Sequence, residues 1–229
     1  MNIAVIPARG GSKRIPRKNI KLFHGLPVIA YAIKAAKESD VFDEVFVSTD
    51  DEEIAEIAIS FGATIPWMRP KALSDDYATT ISVMQHAAKK LKTDLVDTKN
   101  ICCIYPATPL LKPRFLSEGL KVLEEGDWSY AFSGIKSSTH PQRFFSLGSS
   151  NGVEMLFPEY ETTRSQELAD FFYDAGQFYW GTKSAWESGL PIFSSKSTIV
   201  EMPSGSAVDI DTLEDWHYAE ALFSLKKGE

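Results

Sequence analysis

The sequence predicts an α/β fold in which helices cover both faces of a mostly parallel sheet. Short apolar runs of strand length alternate with amphipathic stretches of helix length along most of the 229 residues. The first apolar run leads straight into a loop rich in glycine and basic residues, which is typical of α/β ligand sites. A chain of this length can bury one substantial core, so we expect a single domain over residues 1–229.

The first half of the chain supplies three predicted strands and three predicted helices after the opening strand. Thr49-Asp50-Asp51 offers N-cap chemistry for the second helix, and Gly62 offers a natural end to it. The predicted elements, in chain order, are a strand from Ile3, a helix over 27–39, the strand 44–48, a helix from 51 to about 61, a short strand over 63–67, a helix over 81–91 and a strand over 100–105.

The second half begins with a helix at Pro113, a residue that the first turn of a helix tolerates. Leu116, Leu120 and Leu123 recur at helical spacing and predict its buried face. Strands are predicted around 130–132, 177–180 and 198–202. A final helix follows, with Thr212 and Asp215 as a predicted capping box. Its predicted buried side consists of Leu213, Trp216, Ala219 and Phe223.

Composition limits the classes of partner and location. The chain carries 24 Lys and Arg against 31 Asp and Glu, so its net charge of −7 disfavours nucleic acid as a partner. No apolar run is long enough to cross a bilayer, and we expect no membrane association. The two cysteines, Cys102 and Cys103, are neighbours in a strand and would point to opposite faces, so we expect no disulfide between them. These features predict a cytoplasmic protein.

The loop after the first strand concentrates positive charge. Six cations fall within thirteen residues of an otherwise acidic chain: Arg9, Lys13, Arg14, Arg17, Lys18 and Lys21. Such a cluster repels itself unless it faces a polyanion. Gly10 and Gly11 lack a Cβ, so backbone N–H groups can approach a phosphate closely or adopt positive φ. The alternative is a solvated basic loop. The glycine spacing matches neither a dinucleotide-binding fingerprint nor a Walker-type phosphate loop.

A pair of carboxylates lies near the C-terminus. Asp209 and Asp211 alternate with Ile210, so an extended backbone would project both carboxylates to one face and Ile210 into the core. Neighbouring carboxylates repel each other unless a cation lies between them, and Mg²⁺ prefers such oxygen ligands together with substrate phosphates. The alternative is that one of the two caps the last helix and the other is solvated.

The segment 128–182 is unusually aromatic. Residues 128–180 hold 13 of the 27 aromatic residues of the chain. These residues could simply enlarge the core, or they could form an excursion that buries aromatic surface against a second subunit.

Several of these motifs resemble those of one family. The run Ile6-Pro-Ala-Arg-Gly-Gly-Ser-Lys-Arg-Ile-Pro-Arg-Lys-Asn19 is similar to the opening motif of the acylneuraminate cytidylyltransferases, and Asp209-Ile-Asp211 to their metal motif. The run Asp174–Gly181 resembles the branch that acts on pseudaminic acid. The resemblance implies a three-layer α/β/α nucleotidyltransferase fold that is Rossmann-like, with segment 128–182 as a dimerisation and sugar-binding insert.

The resemblance also implies roles for individual residues. The expected catalytic residues are Arg9, Lys13, Lys18, Asp209 and Asp211, of which Asp209 and Asp211 would bind Mg²⁺. The expected CTP-binding residues are Ala8, Arg9, Gly10, Gly11, Ser12, Lys13, Lys18, Asn19, Arg69 and Thr80. The expected sugar-binding residues are Tyr105, Arg164, Tyr173, Gln177 and Phe178. The sialic-acid branch has glutamine in place of Tyr105 and an Arg-Pro-Asn-Gly segment in place of Tyr173–Gly176, so the sugar is expected to differ.

The function that this resemblance implies is transfer of CMP from CTP to a nine-carbon acidic sugar, pseudaminic acid, by a Mg²⁺-dependent homodimer, with use of the product in flagellin glycosylation. The alternatives are the same reaction on N-acetylneuraminic or legionaminic acid, a cytidylyltransferase for a different sugar or alcohol phosphate, and a non-catalytic nucleotide-binding module. The carboxylate pair disfavours the last of these, because mere binding does not need a metal site.

Overall fold

The computed structural model describes residues 1–94 and 97–226. Its helices are α1 (Val28–Glu38), α2 (Glu52–Ser60), α3 (Thr80–Asp94), α4 (Pro113–Glu125), α5 (Lys183–Ser188) and α6 (Leu213–Lys226). Its strands are β1 (Asn2–Pro7), β2 (Leu22–Phe23), β3 (Leu26–Pro27), β4 (Glu44–Ser48), β5 (Asn100–Ile104), β6 (Tyr130–Lys136), β7 (Phe145–Leu147), β8 (Val153–Met155), β9 (Phe172–Thr182) and β10 (Ser197–Met202).

A six-stranded sheet in the order β10-β6-β9-β5-β1-β4 forms the centre of the molecule. All its pairs are parallel except those of β9, which is antiparallel to β5 and β6. The predicted mostly parallel sheet is therefore confirmed. Because β9 runs the opposite way, its first residues lie at the same edge as the carboxyl ends of β1, β4, β5 and β6.

Two helical layers complete the predicted three-layer arrangement. Helices α1, α2 and α4 pack on one face of the sheet, and α3 and α5 pack on the other. Cys102 belongs to the first of these core clusters and Cys103 to the second, so adjacent cysteine side chains point to opposite faces. Both cysteines are buried and free, as predicted.

Two predictions about local structure are wrong. Residues 63–67 form no strand, and only the isolated bridges Phe46↔Thr64 and Thr49↔Met68 connect this stretch to β4. Pro66 lacks a backbone N–H and lies between the two bridges, which prevents a continuous ladder. Leu213 is 51% exposed, because α6 begins at this residue and its face reaches the core only from Trp216 onward. The capping box at Thr212 and Asp215 is confirmed.

A third apolar cluster joins the two ends of the chain. Ile15 and Phe23 from the N-terminal segment pack with Ile210 and Trp216 near the C-terminus. The rings of Phe23 and Trp216 meet edge to face with centroids 5.5 Å apart. Ile210 is 1% exposed, as the alternation of its neighbours predicts. This packing fixes the basic loop beside the Asp209–Asp211 segment.

The aromatic segment divides into two parts. Its ends are β6 and β9. The aromatic residues of β6 and residues 178–180 of β9 lie in the core, whereas Phe172 and Tyr173 at the start of β9 are exposed. Between them, residues 137–171, here called the excursion, leave the sheet and contain the separate hairpin β7–β8. Large apolar side chains of the excursion are exposed, including Phe145 at 58% and Leu147 at 65%. The core interpretation therefore holds for β6 and for residues 178–180 of β9. Residues 137–171 leave the sheet, and burial of their aromatic surface against a second subunit stays a prediction.

Across residues 1–94 and 97–226, no helix combines the length and the apolar character that a membrane span requires.

Candidate active site

A cleft of about 310 Å³ opens at the carboxyl ends of β1 and β5. Sites in sheets of this type lie at this edge. Nine of the predicted site residues line it: Arg9, Ser12, Lys13, Lys18, Asn19, Arg69, Thr80, Tyr105 and Asp211.

The start of the basic loop is tied to the sheet. The Ala8 N–H donates to the Ser48 carbonyl at 2.9 Å, and the Gly10 N–H donates to Asp50 at 3.1 Å. A Cβ on Gly10 would lie 2.5 Å from the Asp51 carboxylate, so glycine is required here for close approach. Neither Gly10 nor Gly11 has positive φ, and the left-handed residue of this loop is Arg17, with φ of 55°.

Two cations of the loop share one carboxylate. Asp76, from the segment before α3, lies 2.9 Å from Arg9 Nη1 and 2.5 Å from Lys13 Nζ. Arg9 also donates to the Asp75 carbonyl at 2.7 Å. The hydrogen bond from Lys13 is the main reason why the pKa of Asp76 is lowered. The Asp76 carboxylate thus contacts both cations at the place where the sequence predicts a phosphate.

The other end of the loop meets the carboxylate pair. Lys18 Nζ donates to the Ile210 carbonyl at 2.5 Å and lies 3.5 Å from Asp211, whose carboxylate also pairs with Arg14 at 2.8 Å. Residues nearly 200 positions apart in sequence therefore face one another across one cleft. Asp209 does not line the cleft, but the charges of Asp211 and Lys18 both act on its carboxyl group.

The surroundings of Asp209 disfavour the ionised form of its carboxyl group. The pKa of Asp209 is raised, mainly because neighbouring protein atoms partly shield its carboxyl group from water, and secondly because Asp211 carries a like charge. The residue as a whole is nevertheless exposed. Within the described residues, no group of three or more His, Cys, Asp or Glu side chains is arranged to hold a metal ion. The donor set instead fits an ion that takes two carboxylates and completes its shell with phosphate oxygens and water, as Mg²⁺ does.

Arg69 and Thr80, which are predicted to contact the base of CTP, both line the cleft. Arg69 is 5% exposed, its Nε donates to Ser74 at 3.2 Å, and Asp50 lies 3.7 Å from its Nη2. Burial lowers its pKa, which Asp50 partly offsets. The N-cap of α3 is Thr79, whose hydroxyl oxygen accepts from the Ser82 N–H, so Thr80 does not cap the helix.

Asn19, which lines the cleft, has a buried acceptor without a partner among the described residues. Its amide nitrogen donates to the Arg9 carbonyl at 3.0 Å, and its buried Oδ1 has no hydrogen-bond partner in the described part of the chain. A buried acceptor of this kind costs free energy unless a ligand supplies a donor.

The predicted sugar-binding residues differ in their exposure and in whether they line the cleft. Tyr105 lines the cleft, and Tyr173 is exposed at the start of β9. Gln177 is 1% exposed and donates to the Ala175 carbonyl. Phe178 has no exposed surface, because its ring packs in the core, so direct contact with a sugar is not available to it in this conformation. Arg164 is exposed on the excursion and does not line the cleft. The roles of all five stay predictions.

A family model described as cytidylyltransferase matches residues 3–215. The chain belongs to the cytidylyltransferase family. This cytidylyltransferase is 40% identical to the pseudaminic acid cytidylyltransferase of Campylobacter jejuni subsp. jejuni over 98% of this chain and 97% of that protein. It is 30% identical to the CMP-N,N'-diacetyllegionaminic acid synthase of Legionella pneumophila over 98% of this chain and 97% of that protein.

The fold also matches solved cytidylyltransferases. A CMP:2-keto-3-deoxy-manno-octonic acid synthetase, solved in complex with CTP, superposes with a TM-score of 0.72 over 98% of this chain and 99% of that chain. At 19% identity this likeness shows the fold alone. The predicted α/β nucleotidyltransferase architecture is confirmed.

Three charged residues of the site were not predicted as individual site residues. Asp50 is expected only in the cap of the second helix, Asp76 is not singled out, and Arg14 is named only among the six cations of the loop. Asp50 follows β4 at the carboxyl edge of the sheet, and this position could have identified it. Asp76 has no comparable signal, because its partners lie more than 60 positions away in sequence.

Proposed function

We propose that this cytidylyltransferase transfers CMP from CTP to the anomeric hydroxyl of pseudaminic acid, releasing pyrophosphate and forming CMP-pseudaminic acid. The observation that carries the proposal is the approach of Lys18 to the Asp209–Asp211 segment in a cleft that Arg9 and Lys13 also line. The identity of the sugar is supported by the 40% identical Campylobacter relative, which is named for pseudaminic acid.

The basic loop is proposed to hold the triphosphate. Arg9 and Lys13 would exchange Asp76 for phosphate oxygens, and Lys18 lies 3.5 Å from Asp211 in the same cleft. The hydroxyl oxygen of the sugar would attack the α-phosphorus in line, and the bond to the bridging oxygen would break so that pyrophosphate leaves with the electron pair. Cations at the β- and γ-phosphates favour this step because they neutralise charge on the leaving group.

Direct displacement without an enzyme-bound intermediate is the proposed route. No histidine or cysteine is found among the described residues that line the cleft. Cys102 and Cys103 are fully buried, and burial raises the pKa of both thiols, so neither is available as a nucleophile.

Mg²⁺ is the proposed cofactor, held by Asp209 and Asp211. When bound, it would supply positive charge beside the phosphates, where negative charge develops during transfer. Partial burial and the charge of Asp211 disfavour the ionised carboxylate of Asp209 and raise its pKa. A divalent cation beside the carboxylate would offset this cost, which supports the assignment. In the structure, Arg14 and Lys18 are the cations that face Asp211.

A homodimer formed through the excursion is also proposed. Its exposed apolar side chains, such as Phe145 and Leu147, are of the kind that subunit interfaces bury. The excursion leaves β6 and returns to β9 at the edge of the sheet where the cleft opens. A second subunit seated there would approach the sugar side of the cleft, near Tyr173, and could bring Arg164 to it.

A cytoplasmic location is proposed on the evidence of the two free, buried cysteines, which suit a reducing compartment. Use of the product in flagellin glycosylation stays an expectation drawn from the family resemblance.

Pyrophosphate release tests the proposal. The pure protein is incubated with CTP, Mg²⁺ and, separately, pseudaminic, legionaminic and N-acetylneuraminic acid, with a reaction lacking sugar to subtract hydrolysis. Release that is fastest with pseudaminic acid is expected. Preference for legionaminic acid would favour the second candidate function, which the 30% identical Legionella relative supports, and would leave the reaction class intact.

A further inference from the structure

The end of β4 lies between two parts of the cleft. On one side, the Ser48 carbonyl accepts from the Ala8 N–H at 2.9 Å, at the start of the basic loop. On the other side, the Thr49 carbonyl accepts from the Arg69 N–H at 2.7 Å. The backbone of these two adjacent residues therefore connects the basic loop to Arg69.

The side chain of Asp50, the next residue, makes a contact of its own with each part. Its Oδ1 atom accepts from the Gly10 N–H at 3.1 Å and lies 3.7 Å from Arg69 Nη2. We call residues 9–18 the phosphate half of the cleft, and Arg69 with Thr80 the base half. One carboxylate oxygen thus faces a backbone donor of the phosphate half and the guanidinium of the base half.

Asp50 supplies the negative charge that a buried guanidinium needs. The side chain of Arg69 is 3% exposed, and a guanidinium keeps its charge in proteins. Burial lowers the pKa of Arg69, and the charge of Asp50 acts against this effect, whereas the charge of Arg9 adds to it. A buried charge without a partner is costly. We therefore expect the guanidinium to leave its place when the charge of Asp50 is removed.

The far end of the basic loop has a separate support. Asp51 accepts from both terminal nitrogens of Arg17, and the hydrogen bond from Nη2 is 3.0 Å long. Glu53 also pairs with Arg17. Because these contacts do not involve Asp50, a change at Asp50 should act on the Gly10 end of the loop and leave the Arg17 end in place.

We propose that Asp50 is a positioning residue that couples the base half of the cleft to its phosphate half, because one of its carboxylate oxygens holds the Gly10 N–H and faces the Arg69 guanidinium. Asp50 does not itself line the cleft, so it acts through these two residues. The inference rests on the proposed function, since it requires the base of CTP to lie against Arg69 and the triphosphate against the basic loop.

Asp50→Asn and Asp50→Ala separate the two contacts. Asparagine keeps an oxygen for the Gly10 N–H but removes the charge, so the affinity for CTP should fall about tenfold while that for inorganic triphosphate does not fall. Alanine removes both contacts. It should bind inorganic triphosphate about tenfold more weakly than Asp50→Asn, which has lost the same charge. Titration calorimetry with Mg²⁺ and without sugar measures both affinities.

Arg69→Met provides a second measurement that leaves the loop unaltered. In the wild-type background it should lower the affinity for CTP. In the Asp50→Asn background it should have little further effect, because the guanidinium has already left its place. Additive losses in the double variant would show that Asp50 and Arg69 act independently, and would overturn the inference.

Asp43→Ala is the matched control. Asp43 precedes β4, and its carboxylate accepts from the Asn2 N–H at 2.6 Å, so it connects the same two strands at the end remote from the cleft. Both affinities should be unchanged in this variant. A merely structural role of Asp50 would instead lower the melting temperature and both affinities together in Asp50→Asn, which would also overturn the inference.

The wild type separates failure of the inference from failure of the proposed function. If it binds CTP more tightly than inorganic triphosphate, and both Asp50 variants retain both affinities, the inference is overturned and the proposed function stands. If the wild type binds neither ligand, the proposed function fails and the inference fails with it.

Discussion

The cleft and the excursion differ in one respect: the charged side chains of the cleft already have protein partners, whereas large apolar side chains of the excursion are exposed. In the cleft, each cation that is proposed to bind phosphate already contacts a protein acceptor, as Arg9 and Lys13 contact Asp76. In the excursion, Phe145 and Leu147 are more than half exposed, although both lie in a hairpin. The charged side chains of a site can keep their positions without a ligand, because ion pairs within the protein hold them there. Those ion pairs can then be exchanged for contacts with the ligand. The exposed apolar side chains of the excursion have no such contacts, which is why they are proposed to be buried against a second subunit.

Asp211→Asn should have the largest effect, a loss of turnover of about 1,000-fold, because it removes a carboxylate that is proposed to bind Mg²⁺ beside the phosphates. Pyrophosphate release measures the rate, and circular dichroism checks that the fold is retained. Asp127→Asn is the matched control, since Asp127 also pairs with a lysine, Lys196, but does not line the cleft. Full activity in Asp211→Asn would remove the metal role.

Lys18→Met should lower kcat/KM for CTP by about 100-fold, because Lys18 lines the cleft beside Asp211 and is proposed to bind the triphosphate. Lys21→Met is the control from the same loop. The Lys21 ammonium lies over the Trp216 ring, 5.2 Å from its centroid, and does not line the cleft. Equal losses in the two variants would mean that only the overall charge of the loop matters.

Leu147→Asp should convert a dimer into monomers, because it places a charge in the apolar surface that is proposed to be buried between subunits. Analytical ultracentrifugation measures the change. Leu225→Asp alters an equally exposed leucine on α6 and should leave the dimer intact. A wild-type protein that sediments as a monomer at all concentrations would contradict the comparison between the two surfaces.

The smallest effect concerns stability and pH. The pKa of Asp209 is raised in the fold, so its ionised form opposes folding, and this cost disappears as the pH falls through that raised value. Without Mg²⁺, Asp209→Asn should therefore melt at a higher temperature than the wild type at pH 7, with a smaller difference at pH 4.

Asp215→Asn is the control of opposite sign for this melting experiment. Hydrogen bonds from Thr212 lower the pKa of Asp215, so its ionised form supports folding and the variant should melt lower at pH 7. A lower melting temperature for Asp209→Asn at pH 7 would show that Asp211 and its neighbours do not destabilise the ionised carboxylate.

The sequence predicted the sheet, the layers and both charged segments, because these depend on local patterns of apolar and charged residues. It could not predict how Asp76 meets Arg9 and Lys13, since that contact depends on where a loop lies in the folded chain. Nor could it predict the burial of Phe178, which packs against Gly119 of α4 so closely that a Cβ there would lie 2.9 Å from its ring.

The same limit applies to the hydrogen bond that the Tyr179 hydroxyl donates to Asp174. The periodicity of β9 gives no indication of this contact, because it crosses the irregular stretch where β9 pairs with β6. Local periodicity identifies which face a side chain occupies, and bulges change that register.

Anomalous diffraction from crystals grown with CTP and Mn²⁺ tests the central claim most directly. One manganese peak is expected within bonding distance of the Asp209 or Asp211 carboxylate and of a phosphate oxygen, with the triphosphate in contact with Lys13 and Lys18. A triphosphate bound outside the cleft, or a metal peak remote from both carboxylates, would contradict the account.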